Sequence, residues 1–216
     1  MKAQSLCGTW QRRVGKGTFI PVTVPFSALP QGHTEYVREF DTEETGRHIF
    51  LRFEGITYRA KVTLNGRTLG DMLPYVPYEF EVTDTVLPRG NCLLLEIEDI
   101  SPHFGPTEGW ENYSGIIREV SLLYRDTAWI EDVFFHCELQ NSYRDATYCV
   151  ELTCVGDLPA EVTLSFDGRE IDRFVAAGNG KITRLLQNVR LWSPEDPALY
   201  TLTVRLSGEN GESDRR

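Results

Sequence analysis

Apolar residues recur at every second position in short runs along most of this chain, and that period of two decides its fold class. Tyr36, Arg38 and Phe40 alternate with Val37 and Glu39, and Ile49, Leu51 and Phe53 with Phe50 and Arg52. Ala60, Val62 and Leu64 alternate with Arg59, Lys61 and Thr63, a half-buried strand that runs straight into Asn65-Gly66. Both of those residues tolerate positive φ, which makes the pair a strong hairpin signal. Tyr78, Phe80 and Val82 alternate with Glu79 and Glu81, and Asn91 to Glu98 reads as a further strand. Residues 1 to 34 read as irregular, except that Ile20 to Pro25 is extended and its prolines confine it to an edge or a crossing segment. No segment carries a sustained helical period.

The pattern restarts near Arg125-Asp126. Strands are expected at Trp129–Leu139, Thr147–Val155, Val162–Phe166, Ile182–Val189 and Tyr200–Leu206, with turns at Asp167-Gly168 and Asn210-Gly211. Short strands at this spacing imply a second, smaller sandwich of immunoglobulin type, without the Cys-Trp-Cys pattern of antibody domains. The chain therefore reads as all-β, with one β-sandwich over residues 1–125 and an immunoglobulin-like one over 126–216. The second is expected to lack its last strand, because the sequence stops just after a hairpin signal. Trp192-Ser193-Pro194 is expected to plug this sandwich, and Tyr75, Pro77 and Tyr78 to shape a strand crossing.

With 216 residues, 41% of them apolar and 25% charged, the chain is long enough and apolar enough to bury a real core. Its net charge of −10 repels a polyanion, which excludes nucleic acid as a partner class. The strongest apolar runs are four or five residues long, so no membrane span is expected. The N-terminus lacks the apolar core of a signal peptide, and the five cysteines form no zinc-ligand spacing. Reduced thiols and a cytoplasmic location follow as expectations, with Cys154 a small core residue in phase with Val150 and Leu152. No cofactor and no metal are expected.

One stretch departs from the strand pattern. Ser101 to Val120 is a long polar and aromatic loop running into a strand, and loops of this length in compact β domains tend to be binding loops. It gathers His103, Phe104, Glu108, Trp110, Glu111, Asn112 and Tyr113. Sugars are held by such a mixture: rings pack on the C–H face of a pyranose, while carboxylates and amides take its hydroxyls. Glu108, Trp110, Glu111, Asn112, Tyr113 and His103 are the candidate substrate-binding residues. The alternative is a surface loop whose rings fill a corner of the sandwich. Arg118 shares the phase of Ile116, Val120 and Leu122. It is expected to be buried as a structural support of the loop, tied to Glu54, Glu108 or Glu111. The four histidines look isolated, and only His103 lies where it could serve a site.

Several pieces carry a family resemblance: Phe53-Glu54-Gly55-Ile56, Ala60-Lys61-Val62-Thr63-Leu64-Asn65-Gly66, the run from Tyr75 to Thr83, and Gly90-Asn91. To these are added Asn112-Tyr113-Ser114-Gly115-Ile116-Ile117-Arg118-Glu119-Val120, and Leu191-Trp192-Ser193-Pro194-Glu195 followed by Pro197-Ala198-Leu199-Tyr200. In this order they resemble the N-terminal part of glycoside hydrolase family 2, the β-galactosidase, β-glucuronidase and β-mannosidase group. The resemblance implies a jelly-roll, galactose-binding-like domain followed by an immunoglobulin-like domain. It also implies a C-terminal TIM-barrel domain of the same polypeptide as partner, a terminal β-linked sugar as substrate, and in many members a homo-oligomer.

The family's two catalytic glutamates lie in the barrel, about 5 Å apart across the scissile bond. This sequence has no Asn-Glu dipeptide and no strand–helix alternation, so by itself it should be inactive, with no catalytic residue of its own. In the galactosidase and glucuronidase relatives, the loop before the Gly-Ile-x-Arg strand presents an aspartate to the sugar; the matching position here is Gly109. Either Glu108 or Glu111 takes over that contact, or the favoured sugar has a different hydroxyl pattern. Two other readings remain: a free-standing carbohydrate-binding module, and a scaffold or interaction protein with no sugar site.

Overall fold

The structure is a computed structural model that describes residues 2–42, 48–99, 112–208 and 211–216. It divides into two compact units, Lys2–Tyr124 and Arg125–Arg216. Every regular element among the described residues is a strand. No helix among them is long and apolar enough to cross a membrane.

The first unit contains β1 (Lys2–Ser5), β2 (Gly8–Val14), β3 (Ile20–Val24), β4 (His33–Phe40), β5 (His48–Phe53), β6 (Arg59–Leu64), β7 (Arg67–Met72), β8 (Tyr78–Glu81), β9 (Asn91–Glu98) and β10, which starts at Val120 and ends at Arg125. A six-stranded sheet in the order β3-β2-β4-β9-β6-β7 accompanies a four-stranded sheet in the order β1-β10-β5-β8. This is the jelly-roll sandwich. The alternation sets its inner faces: Tyr36, Leu51, Phe53, Val62, Leu64, Leu95 and Ile97 are all fully buried in one core. Asn65 (φ 51°) and Gly66 (φ 80°) make the β6–β7 turn, where two successive positive φ values match the strand twist.

Asn65 does more than turn the chain. Its amide donates to the Thr85 carbonyl (2.8 Å) and to Asn91 Oδ1 (2.9 Å), and its Oδ1 accepts the Cys92 N–H (2.9 Å). Asn91 is fully buried, yet its Oδ1 also accepts the Leu87 N–H (2.7 Å) and its amide donates to the Leu87 carbonyl (2.7 Å). A buried amide with its partners filled costs little and fixes the β9 start.

The first 34 residues are not irregular. They hold β1, β2, β3 and the start of β4, and β3 is the sheet edge that its prolines require. β2 is hard to read because an arginine occupies one of its inward positions. Arg12, 6% exposed, donates to Tyr36 Oη (3.1 Å) and Gln31 Oε1 (2.8 Å) and lies over the Phe26 and Tyr36 rings. Ring faces and two acceptors replace the water that the guanidinium gives up.

The second unit contains β11 (Trp129–Gln140), β12 (Asp145–Val155), β13 (Ala160–Phe166), β14 (Arg169–Ala176), β15 (Gly180–Leu186), β16 (Tyr200–Gly208) and β17 (Gly211–Arg215). Its sheets are β11-β12-β15 and β14-β13-β16-β17, an immunoglobulin-like arrangement. Ile130, Val150, Leu152, Val162, Val204 and Leu206 fill the space between them, joined by Cys154. A strand that the sequence reading does not assign follows the turn: Gly211–Arg215 pairs with β16, and Arg216 exchanges backbone hydrogen bonds with Val204. The residues after the turn are polar, so their pattern does not announce a strand. Trp192 does not plug this sandwich. It is 57% exposed and borders an open apolar cleft of about 250 Å³ with Phe135, Leu139, Leu186 and Tyr200.

β14 escapes the sequence pattern because Asp172 stands among its inward residues. Its carboxylate accepts from Tyr148 Oη on β12 (2.6 Å) and from the Arg184 guanidinium on β15 (2.6 and 2.9 Å), clamping one sheet to the other. Arg184 foremost holds the Asp172 carboxyl below its ordinary value of 3.8, while burial and then Asp172 push the Tyr148 hydroxyl upward. Hydrogen bonds to charged groups are worth about 1.5–3 kcal/mol, so Asp172→Ala should lower unfolding stability by roughly that amount. A carboxyl whose pKa is depressed on folding stabilises above its unfolded pKa and loses that stabilisation as the pH falls through the folded value. Urea titrations from neutral pH down to about 2.5 should therefore show a steeper acid loss in the parent than in Asp172→Asn. Parallel curves would mean that the clamp contributes nothing.

Candidate functional site

The foot of the long loop is the part of it that the structure describes, from Asn112 onward. Ser114 and Ala28 exchange both backbone hydrogen bonds (2.8 and 2.9 Å), and Gly115 and Thr57 do the same on the other side (2.7 and 2.9 Å). The Phe26 N–H donates to the Ile116 carbonyl (2.7 Å), and the Glu54 N–H to the Glu119 carbonyl (2.9 Å). Residues 114–119 thus lie between two other passes of the backbone, and this leaves no room for a side chain at Gly115. A Cβ there would stand 2.3 Å from the Phe26 carbonyl oxygen, at a φ of 138° that only glycine adopts with ease.

Three tyrosines cluster on this foot. The Tyr75 ring meets Tyr113 (6.1 Å between centroids, 65°) and Tyr58 (6.2 Å, 84°), both edge to face. Buried Thr57 donates its hydroxyl to the Tyr113 carbonyl (3.1 Å) and has Tyr75 Oη at 3.4 Å. Tyr75 and Tyr113 stay 42% and 43% exposed, so part of the cluster's surface faces solvent. Desolvation, followed by Tyr75, pushes the Tyr113 hydroxyl above its ordinary value against the opposing pull of Arg118. At neutral pH the hydroxyl therefore keeps its proton and can donate a hydrogen bond.

Arg118 departs from the sequence expectation because it is exposed. β10 begins only at Val120, and a bend at Arg118 breaks the alternation that would have turned it inward. Its stem lies over Gly55, where a Cβ would stand 3.1 Å from Arg118 Cδ. Glu54, one of the carboxylates expected to receive it, is held by Arg52 (2.5 and 3.2 Å), which also binds Glu79 (2.6 Å).

Of the candidate binding residues, Asn112 and Tyr113 stand at this foot, half-buried and exposed respectively. His103, Glu108, Trp110 and Glu111 lie outside the described residues, as does Gly109. The structure adds Thr57, Tyr58 and Tyr75, which sequence pattern alone does not join to Tyr113. The only hint is that the alternation stops after Phe53. The other histidines are not isolated: His33 meets Glu98 (2.6 Å), His48 meets Glu81 (2.8 Å), and His136 lies beside Phe134.

Comparison with known proteins gives this geometry a family. The sequence matches the description "Glycosyl hydrolase 2 galactose-binding domain-like" over residues 27–105 and "Glycosyl hydrolases family 2" over residues 128–216. The chain belongs to glycosyl hydrolase family 2. Among curated family 2 relatives, the β-galactosidase large subunit of Leuconostoc lactis is 26% identical over 79% of this chain and 29% of its own length. The β-galactosidase of Clostridium acetobutylicum is 26% identical over 82% of this chain and 21% of its own length. The chain thus spans less than a third of these relatives.

Two solved structures share the fold. An FMN-binding β-glucuronidase from Facaelibacterium prausnitzii superposes with a TM-score of 0.85 at 20% identity, over 99% of this chain and 38% of that one. A putative β-galactosidase from Bacteroides fragilis gives 0.82 at 20% identity, over 100% and 40%.

The Gly115 clamp is directly testable. Gly115→Ala should cost roughly 3 kcal/mol or more, because the added carbon meets backbone on a tightly bonded segment. Gly66→Ala, also at positive φ but with nothing within 4 Å of the added carbon, should cost roughly 1–2 kcal/mol. Urea unfolding measures both, and equal losses would show that Gly115 is not closely confined.

Proposed function

We propose that this chain is the non-catalytic N-terminal portion of a family 2 glycosidase that hydrolyses a β-glycoside. In this reading it supports a barrel domain of the same polypeptide, and the segment from Ser101 to Tyr113 takes part in recognising the terminal sugar. What carries the reading is the fixed foot of that segment, with a tyrosine cluster beside it that remains open to solvent. The β-galactosidase relatives, of which the chain spans only a fraction, support the wider assignment.

The chemistry divides accordingly. A pair of carboxyls about 5 Å apart on the barrel performs the displacement and the proton transfer. On this chain, Trp110 supplies a ring for the C–H face of the sugar, and Glu108 or Glu111 accepts hydrogen bonds from its hydroxyls. Asn112 and Tyr113 extend the polar wall, with Tyr113 donating. His103 lies further back on the same segment in sequence, and Arg118 places positive charge near Tyr113. These groups add binding energy that is useful when it is stronger in the transition state than in the ground state.

The test is Trp110→Ala combined with Glu111→Ala in the full-length enzyme. We expect kcat/KM to fall at least tenfold, about 1.4 kcal/mol of transition-state stabilisation, with the thermal midpoint unchanged. A fall of less than twofold would remove the loop from the site.

A further inference from the structure

The second sandwich carries a side-chain cluster that the sugar-recognition reading does not use. On the three-stranded sheet, His136 of β11 stands directly opposite Cys149 of β12, and Glu151 lies two residues further along β12. Residues two apart on a strand share a face, and opposed residues on neighbouring strands bring their Cβ atoms within about 5.5 Å. One imidazole nitrogen, the Cys149 sulfur and one Glu151 oxygen accordingly lie within 4.8 Å of one another. Val150 and Leu152 point into the core, so Cys149 and Glu151 are on the opposite, outward face.

Two observations mark this cluster off from an ordinary polar surface. Cys149 is only 3% exposed although it faces outward, because its neighbours cover it. His136 Nδ1 is buried and has no hydrogen-bond partner, a cost that a bound ligand would remove. A positive charge already sits here: the Lys181 ammonium, on β15 opposite Glu151, binds the Glu151 carboxylate at 2.8 Å.

We propose that His136, Cys149 and Glu151 form a three-ligand site for a zinc-class divalent ion, with Lys181 as the cation it displaces. One imidazole, one thiolate and one carboxylate are a donor set for zinc, with a solvent molecule in the fourth position. On binding, the Cys149 thiol gives its proton to solvent as the metal–sulfur bond forms, and no electron is transferred. The Lys181 side chain is 57% exposed, so it can swing into water, and an exposed ion pair of this kind contributes only about 0–1 kcal/mol. The spacing of these residues in sequence hides the site, because its ligands meet across strands rather than along one.

Cobalt(II) titration of the chain followed by absorption tests this. We expect a thiolate-to-cobalt charge-transfer band that saturates at one equivalent, is displaced by zinc, and is lost in both Cys149→Ser and His136→Ala. Lys181→Met, an exposed change that leaves the core alone, should tighten cobalt binding by a few fold, up to about fivefold, as the competing cation disappears. Absence of the band would overturn the proposal, as would its survival in Cys149→Ser, which would place the metal on the exposed Cys92 or Cys137. Unchanged affinity in Lys181→Met would overturn it even if the cysteine variant fails to fold.

Discussion

The double pairing of Ser114 and Gly115, to Ala28 on one side and Thr57 on the other, is the constraint on which the functional reading rests. It fixes where the chain re-enters the first sandwich after its long loop. The departing end is fixed nearby: Asp99 accepts the Gln31 N–H on its carboxylate (2.7 Å) and donates its own N–H to the Gly32 carbonyl (3.3 Å). The short stretch from Ala28 to Gly32 therefore holds both ends of the loop. Closing a loop costs entropy whether or not it binds anything, and here the sandwich meets that cost before any ligand arrives.

The sequence shows the fold wherever alternation is purely apolar against polar. Ile49, Leu51 and Phe53, like Ala60, Val62 and Leu64, are buried in the phase their spacing predicts, and Asn65-Gly66 turns where it should. Most of the misreadings come from a polar group on an inward face or an apolar one left outside. Arg12 disguises β2 and Asp172 disguises β14, each satisfied by partners remote in sequence. Arg118 misleads in the opposite sense, since the bend before Val120 resets the phase and turns it outward. Trp192 lies on the rim of an apolar cleft, a placement that depends on residues from several strands.

The candidate site is legible in part. Tyr113 and Asn112 are marked by the composition of their segment, and Gly115 by the motif it belongs to. Tyr58 and Tyr75 join them through backbone pairing at Ile56 and Thr57 and through ring contacts, which composition cannot reveal. The same limit hides the cluster of His136, Cys149 and Glu151. Both cases are cross-strand adjacency, and a sheet creates such adjacency between residues whose separation in sequence carries no information.

Amide hydrogen exchange at Ser114, Gly115 and Thr57 tests the central claim most directly, because the account requires the foot to be formed in the absence of sugar. It predicts protection comparable to that of the β4 and β9 amides in the core of the same sandwich. Exchange at the rate of an unstructured peptide would contradict it, showing that the loop is not held in advance and that the tyrosine cluster is not a preset part of a site.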